Sequence, residues 1–231
     1  MKRQLLCGLA LLTAGMLSFA GDAAAFVDMG LSSDGKTYIF GEYGRTDVSF
    51  LGYAEIYTVD IEKNDFVPGA VFKTAPSAAT SSKSGRAVFE ELNNKAAWIL
   101  HKYDYKPVAA ENLLYVREDE GRNDFRFKDF EGSSSEQTVY YHVVLSPTVD
   151  GAGAACRSSF FITLTKETES GSVLSRTVVG NPGTKRKGVS GYKIDRIFSD
   201  KTGRNLVFVV EKTVVDSAGT SIRYMVETVS L

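Results

Sequence analysis

The richest collection of residues able to do chemistry runs from Gly180 to Tyr192, where four glycines surround three consecutive cations, Lys185, Arg186 and Lys187. Glycines let successive backbone N–H groups converge into a concave nest, and the adjoining cations add charge. That pattern suits an anion such as a phosphate or a polymer carboxylate. The same composition also makes a solvated hairpin connection, and both readings stand at this level.

Other chemistries lack an assembled set of residues. Zinc needs three or four convergent ligands, commonly two of them closely spaced. The chain has two histidines, His101 and His142, and no His-x-x-x-His or Cys-x-x-Cys. His142 beside Tyr140 and Tyr141 reads as a packed strand residue. No Gly-x-Ser-x-Gly nucleophile turn occurs. The stretch Thr80-Ser81-Ser82-Lys83-Ser84-Gly85 superficially matches serine–lysine motifs, but Thr80 replaces the nucleophile and the pieces overlap in one loop. Asp60 to Asp65 starts like a calcium loop yet lacks the glycine at its sixth place and the glutamate at its twelfth, so it reads as a solvated turn. No cofactor or metal is expected. Carboxylate pairs are available in any chain with 28 acids, so a hydrolase acting on cell-envelope material stays as the alternative.

The first residues carry an address. Lys2 and Arg3 precede an apolar run from Leu5 to Leu17, and Ser18-Phe19-Ala20 puts small residues where a signal peptidase inspects the chain. The run is shorter than the roughly 20 residues a spanning helix needs, so no stable membrane span is expected after cleavage. A second possible cut follows Ala25. Residues 1–20 are therefore read as a signal peptide and 21–231 as a single β-rich secreted domain, most simply periplasmic. Without the leader, the 27 cations lose Lys2 and Arg3 and face 28 acids, a formal charge of −3. Nucleic-acid binding wants a basic surplus or a basic face interleaved with aromatics, and neither is present. The mature chain keeps one cysteine, Cys156, so no internal disulfide can form, and the thiol reads as buried and inert.

The elements that must position these residues are mostly strands. Runs rich in Val, Ile, Thr, Phe and Tyr, bounded by Gly, Asp, Asn and Ser, recur at 26–31, 37–43, 53–61, 112–117, 138–145, 159–166, 173–179, 192–198, 205–212 and 221–229. A further short strand lies near Phe125 to Phe127. Gly-containing bends between several of them predict antiparallel hairpins. The first strand is placed to enter the core, with the C-terminal strand a candidate neighbour.

One segment keeps helical time. From Gly85 to Tyr103, after Ser84 as N-cap, Val88, Leu92, Ala96, Ile99 and Tyr103 form one stripe. Trp98 falls off that stripe, among Glu91, Lys95 and Lys102. It reads either as packed under a neighbouring loop or sheet, or as an anchor for a partner, since Trp is enriched at binding hot spots.

Two stretches share a grammar: Met29 to Phe40 followed by Glu55 to Asp60, and Ile197 to Phe208 followed by Ile222 to Glu227. In each, a strand enters a Ser/Asp/Gly turn, a basic residue follows, a second strand ends on Phe, and a third carries Tyr in an apolar run. The unit resembles blades of TolB and WD40-like propellers, with Ser33 in place of the usual Pro. Two copies are too few for a closed propeller, which needs at least four blades. Phe26-Val27-Asp28-Met29-Gly30, Phe40 to Gly44, Tyr53 to Asp60, Gly180-Asn181-Pro182 through Lys185-Arg186, Gly188 to Tyr192, Asn205 to Lys212 and Ile222 to Thr228 together resemble a family of predicted secreted proteins of unknown function, chiefly spirochaetal. That resemblance implies export and supplies no catalytic residue. The expected fold is mainly β, with antiparallel sheets in a sandwich-like or partial propeller-like arrangement and one packed α-helix near residues 85–103. The expected role is a non-enzymatic envelope domain binding a protein or polymer, with Lys185, Arg186, Lys187 and Trp98 as candidate contacts.

Overall fold

The computed structural model describes residues 22–118 and 121–231. The leader read at 1–20 lies outside the described residues, as do Asp119 and Glu120. Strand alternation builds three antiparallel sheets. The first is a meander of β1 (Ala25–Leu31), β2 (Thr37–Arg45), β3 (Gly52–Asp60) and β4 (Asp65–Thr74). The helix α1 (Gly85–Tyr103) follows. The second sheet holds β6 (Asp124–Asp129), β7 (Val139–Asp150) and β8 (Arg157–Thr168), with β9 (Val173–Val179) and β10 (Arg186–Lys187) sharing the other edge of β8. The third runs β5 (Leu113–Val116), β11 (Val189–Ser199), β12 (Asn205–Asp216) and β13 (Gly219–Ser230). The protein is mainly β, its sheets antiparallel, and among the described residues they close no barrel.

Because side chains alternate faces along a strand, each sheet can bury both sides. Ile39, Ala54 and Ile56 of the first sheet pack on Val88, Phe89, Leu92, Ala96 and Ile99 of the helix. The other face of that sheet, with Tyr38, Phe40, Tyr57 and Val59, meets Phe198, Val207, Val209 and Val226 of the third. The far face of the third sheet, with Ile194, Leu206, Phe208 and Val210, meets Val143, Phe160, Ile162 and Leu164 of the second. The order is thus helix, first sheet, third sheet, second sheet. The two sequence copies supply the middle layers in the same sense: Phe40 points from the first sheet toward the third, and its counterpart Phe208 from the third toward the second.

The helix occupies the predicted residues. Ser84 Oγ accepts the Ala87 N–H at 3.1 Å, and Asp104 ends it in the left-handed region at φ 47. Its first residue must be small, since a Cβ on Gly85 would lie 2.5 Å from the Gly44 carbonyl oxygen. The strand β4, which contains Pro68-Gly69, lies outside the strand runs expected from the sequence. At a sheet edge, proline's missing N–H costs no ladder bond, and the β3–β4 register is irregular between the pairs Val59↔Phe66 and Tyr57↔Val71 that flank it.

The free edge of β13 is closed by the first sheet and the residues before it. Ile222 N–H donates to the Asp22 carbonyl at 2.8 Å, Tyr224 N–H to the Glu42 carboxylate at 2.7 Å, and Thr228 N–H to Asn64 Oδ1 at 2.7 Å. An unpaired strand edge invites pairing with other chains, and these acceptors occupy it. The parallel bridge Ala23↔Ile222 makes the C-terminal strand a neighbour of the residues leading into β1.

Candidate binding cleft

The tight β3–β4 turn brings Asn64 to its tip with φ 51, while Asp60 accepts the Lys63 N–H at 3.1 Å and pairs with its ammonium at 2.9 Å. The calcium-like sequence is therefore a turn whose first carboxylate is already engaged. Opposite it stands the Gly180–Gly188 connection. Between them opens a cleft of about 550 Å³, lined by Lys63, Asn64, Phe66, Arg186, Lys212 and Glu227 among others.

The three consecutive cations of the connection separate. Arg186 turns inward: its guanidinium lies 5.1 Å from the Phe160 ring centre, 5.9 Å from that of Tyr192, and 3.4 Å from the Glu227 carboxylate. Lys185 pairs with Asp150 at 3.3 Å on the surface. Lys187 is exposed in the two-residue strand β10, opposite Arg157. Alternation along β10 explains the split, since adjacent residues face opposite sides. Of the three, Arg186 lines the cleft.

Two charged residues of the cleft floor come from strands. Glu227 sits in the run Met225-Val226-Glu227-Thr228 of β13, and burial raises its carboxyl pKa against the pull of Asn64 and Arg186. Lys212 follows Leu206, Phe208 and Val210 on the same face of β12. Burial pulls its ammonium below the ordinary lysine value, while Glu42 and Glu55 pull it back up. Among the described residues Lys212 makes no hydrogen bond or ion pair. Phe66, half-exposed and stacked on Tyr57 with ring centres 5.1 Å apart, adds an aromatic wall. The arrangement offers one uncommitted cation, a guanidinium already shared with Glu227, an amide and an aromatic face.

Trp98 lies on the helix away from this cleft, 53% exposed and edge-on to Phe72 of β4. His142 is not packed in the core. It stands on the outer face of the second sheet, with Nε2 2.7 Å from Asp124 and Nδ1 4.0 Å from Glu167. Glu42 and Glu55 face each other across β2 and β3 as a pair of neighbouring carboxylates. Glu42 is spent on the Tyr224 N–H, and Glu55 on Tyr57 and Lys73. Neither pair lines the cleft. A second cleft, of about 370 Å³, lies between the two Asp-containing turns of the repeat, beside Lys106 and Pro107. Its acids are engaged as well: Asp34 accepts from Ser32 and the Lys36 N–H, and Asp200 from Thr202, Asn205 and the Arg204 N–H. The first cleft is the stronger candidate because its unpaired cation, Lys212, is drawn into the protein, whereas in the second Lys106 pairs with Asp104 and Lys201 is solvent-exposed.

A family model described as "Predicted secreted protein (DUF2259)" matches residues 39–230. The chain belongs to this family. The match covers the helix, the second and third sheets and the first sheet from residue 39 onward in this DUF2259 protein, leaving β1 outside, and it includes every cleft residue named above. No curated protein and no solved structure matches it. No helix among its described residues is long and apolar enough to cross a membrane.

Of the residues lining the cleft of this DUF2259 protein, the sequence reading named Arg186 and did not name Lys212, Glu227, Asn64 or Phe66. A signal was present for two of them. Lys212 and Glu227 are charged residues inside apolar strand runs, and a charge there has a partner or a task. Asn64 and Phe66 carried no such mark, because only the packing of the hairpin against β13 gives them a shared surface.

Proposed function

We propose that residues 21–231 work as one exported, periplasmic domain with no catalytic role, which seats an acidic group of an envelope protein or polymer in the cleft between the β3–β4 turn and the Gly180–Gly188 connection. The observation that supports this reading is Lys212, an ammonium drawn into the protein, unpaired among the described residues, and lining a cleft together with Arg186. Drawing an amine out of water with only the more distant Glu42 and Glu55 to offset it is costly, and an incoming carboxylate or phosphate recovers part of that cost. The membership in a secreted family supports the setting.

Calorimetric titration of the mature protein with polyglutamate and with inorganic phosphate tests the reading at low ionic strength. Binding to at least one anion is expected, weakening as salt rises. Lys212→Met should reduce it about tenfold or more, and Lys187→Ala should leave it unchanged. Equal binding by wild type and Lys212→Met, or none by wild type, rules the cleft out.

A further inference from the structure

The leader can be cut in two places on the sequence rule of small residues at the third and first positions before the bond: Ser18 and Ala20 allow a cut before Gly21, and Ala23 and Ala25 allow one before Phe26. The tertiary structure distinguishes them. The Asp22 side chain is only 10% exposed, and its carboxylate bonds both terminal nitrogens of Arg223, one at 3.2 Å, while accepting the Tyr53 hydroxyl at 3.1 Å. Arg223 is itself only 22% exposed and lies 4.3 Å over the Tyr53 ring. The backbone is engaged too: Ile222 N–H donates to the Asp22 carbonyl at 2.8 Å, and Ala24 N–H to the Ile222 carbonyl at 3.0 Å. Ala24 is 6% exposed.

A cut before Phe26 would remove all of this. It would leave a mostly buried guanidinium, still donating to the Ile222 carbonyl at 2.8 Å, without its carboxylate counterion, which is costly. It would also strip Ile222, whose N–H and carbonyl both use this segment, from the edge of β13. Residues 22–24 therefore belong to the folded protein and not to the leader.

We infer that export processing hydrolyses the Ala20–Gly21 amide, a signal peptidase adding water across it to give the Ala20 carboxylate and a Gly21 amine, and that the retained Asp22 then latches the new N-terminus onto β13 through Arg223 and Tyr53. The Ala25–Phe26 bond stays intact.

The test is N-terminal sequencing and intact mass of the protein recovered from the periplasm of an exporting host. A mature chain beginning at Gly21 is expected; any mature chain lacking Asp22 overturns the inference. Ala20→Arg should accumulate precursor and Ala25→Arg should be processed as wild type, and the reverse pattern overturns it as well. Chains made directly from Gly21 and from Phe26 separate the latch from the processing. The shorter one should melt roughly 5 °C lower or more, and equal melting would show that the latch does not hold.

Discussion

The carboxylate of Glu42 accepts the backbone N–H of Tyr224 at 2.7 Å, so that a buried acid of the first sheet closes the free edge of a strand in the third. Burial, more than anything around it, pushes Glu42 from the ordinary glutamate range up to about 7. A folded-state value above the unfolded one means the unfolded chain ionises first as pH rises. Stability is then unaffected by this group below about 4.5, falls between about 4.5 and 7, and stays lower by about 3 kcal/mol above that.

Glu42→Gln keeps an acceptor for Tyr224 and removes the charge. It should raise stability by about 1–3 kcal/mol at pH 8 and change it little at pH 4.5. Urea unfolding at the two pH values reads this directly, and an unchanged slope of stability against pH would show that Glu42 is not the group responsible. Glu42→Ala should cost about 1–3 kcal/mol even at pH 4.5, since it leaves the Tyr224 N–H without an acceptor.

Arg186 and Lys185 adjoin in sequence and differ in burial. Arg186→Ala removes a guanidinium from two aromatic rings and from Glu227, whose side chain is 8% exposed, and should cost about 2–3 kcal/mol. Lys185→Ala breaks a surface pair with Asp150 and should cost under about 0.5 kcal/mol. Denaturant melts of the two single variants decide it. A triple alanine variant of the basic run would mix lost folding with lost binding, which is why Lys212→Met is the cleaner probe of the cleft.

Gly30 has φ 113, and a Cβ there would fall 1.9 Å from the Lys106 carbonyl oxygen. That carbonyl accepts the Leu31 N–H at 3.0 Å, so the clash is with backbone that cannot swing away. Gly30→Ala should cost about 3–5 kcal/mol or abolish soluble expression. Gly171→Ala, at φ 86 with open space around it, should cost only about 1–2 kcal/mol. Comparable losses at both sites would mean that strain, and not the close approach, dominates at Gly30.

Trp98 is the chain's single tryptophan, which makes it a built-in reporter. Half-exposed, with one aromatic edge contact, it should emit as a partly solvated indole and be quenched by acrylamide in the native state. Trp98→Ala should cost about 1 kcal/mol or less, against about 2–5 kcal/mol for Leu92→Ala on the buried stripe of the same helix. Should Trp98 anchor a partner, the alanine variant will lose binding while its melting curve stays close to wild type.

Cys156 is fully buried, and its thiol donates to the Val189 carbonyl at 3.3 Å. A thiol reagent should label it at least a hundredfold more slowly in the native protein than in urea. Fast native labelling would show that the segment joining β7 and β8 opens readily.

The helix was legible to the residue because Ser84 and the stripe from Val88 to Tyr103 are local signals, each acting within a turn of its own position. The strands were legible wherever alternation met Gly, Asn or Asp turns, and β4 escaped because its Pro68-Gly69 irregularity is harmless only at a sheet edge. His142 was misplaced for a related reason: alternation says that neighbours on a strand face opposite ways but not which way is inward, and here inward belongs to Tyr141 and Val143.

By itself, then, the sequence determined the mainly β class, the helix and the hairpins, all of which rest on interactions between residues close along the chain. It also offered a leader with a second possible cut after Ala25, and a basic run whose three cations it could not tell apart. The tertiary structure added which groups meet, placing Asp22 beside Arg223 across 201 positions and Asn64 beside Glu227 across 163. Burial and pairing at such separations depend on which sheet faces stack, and no local pattern encodes that.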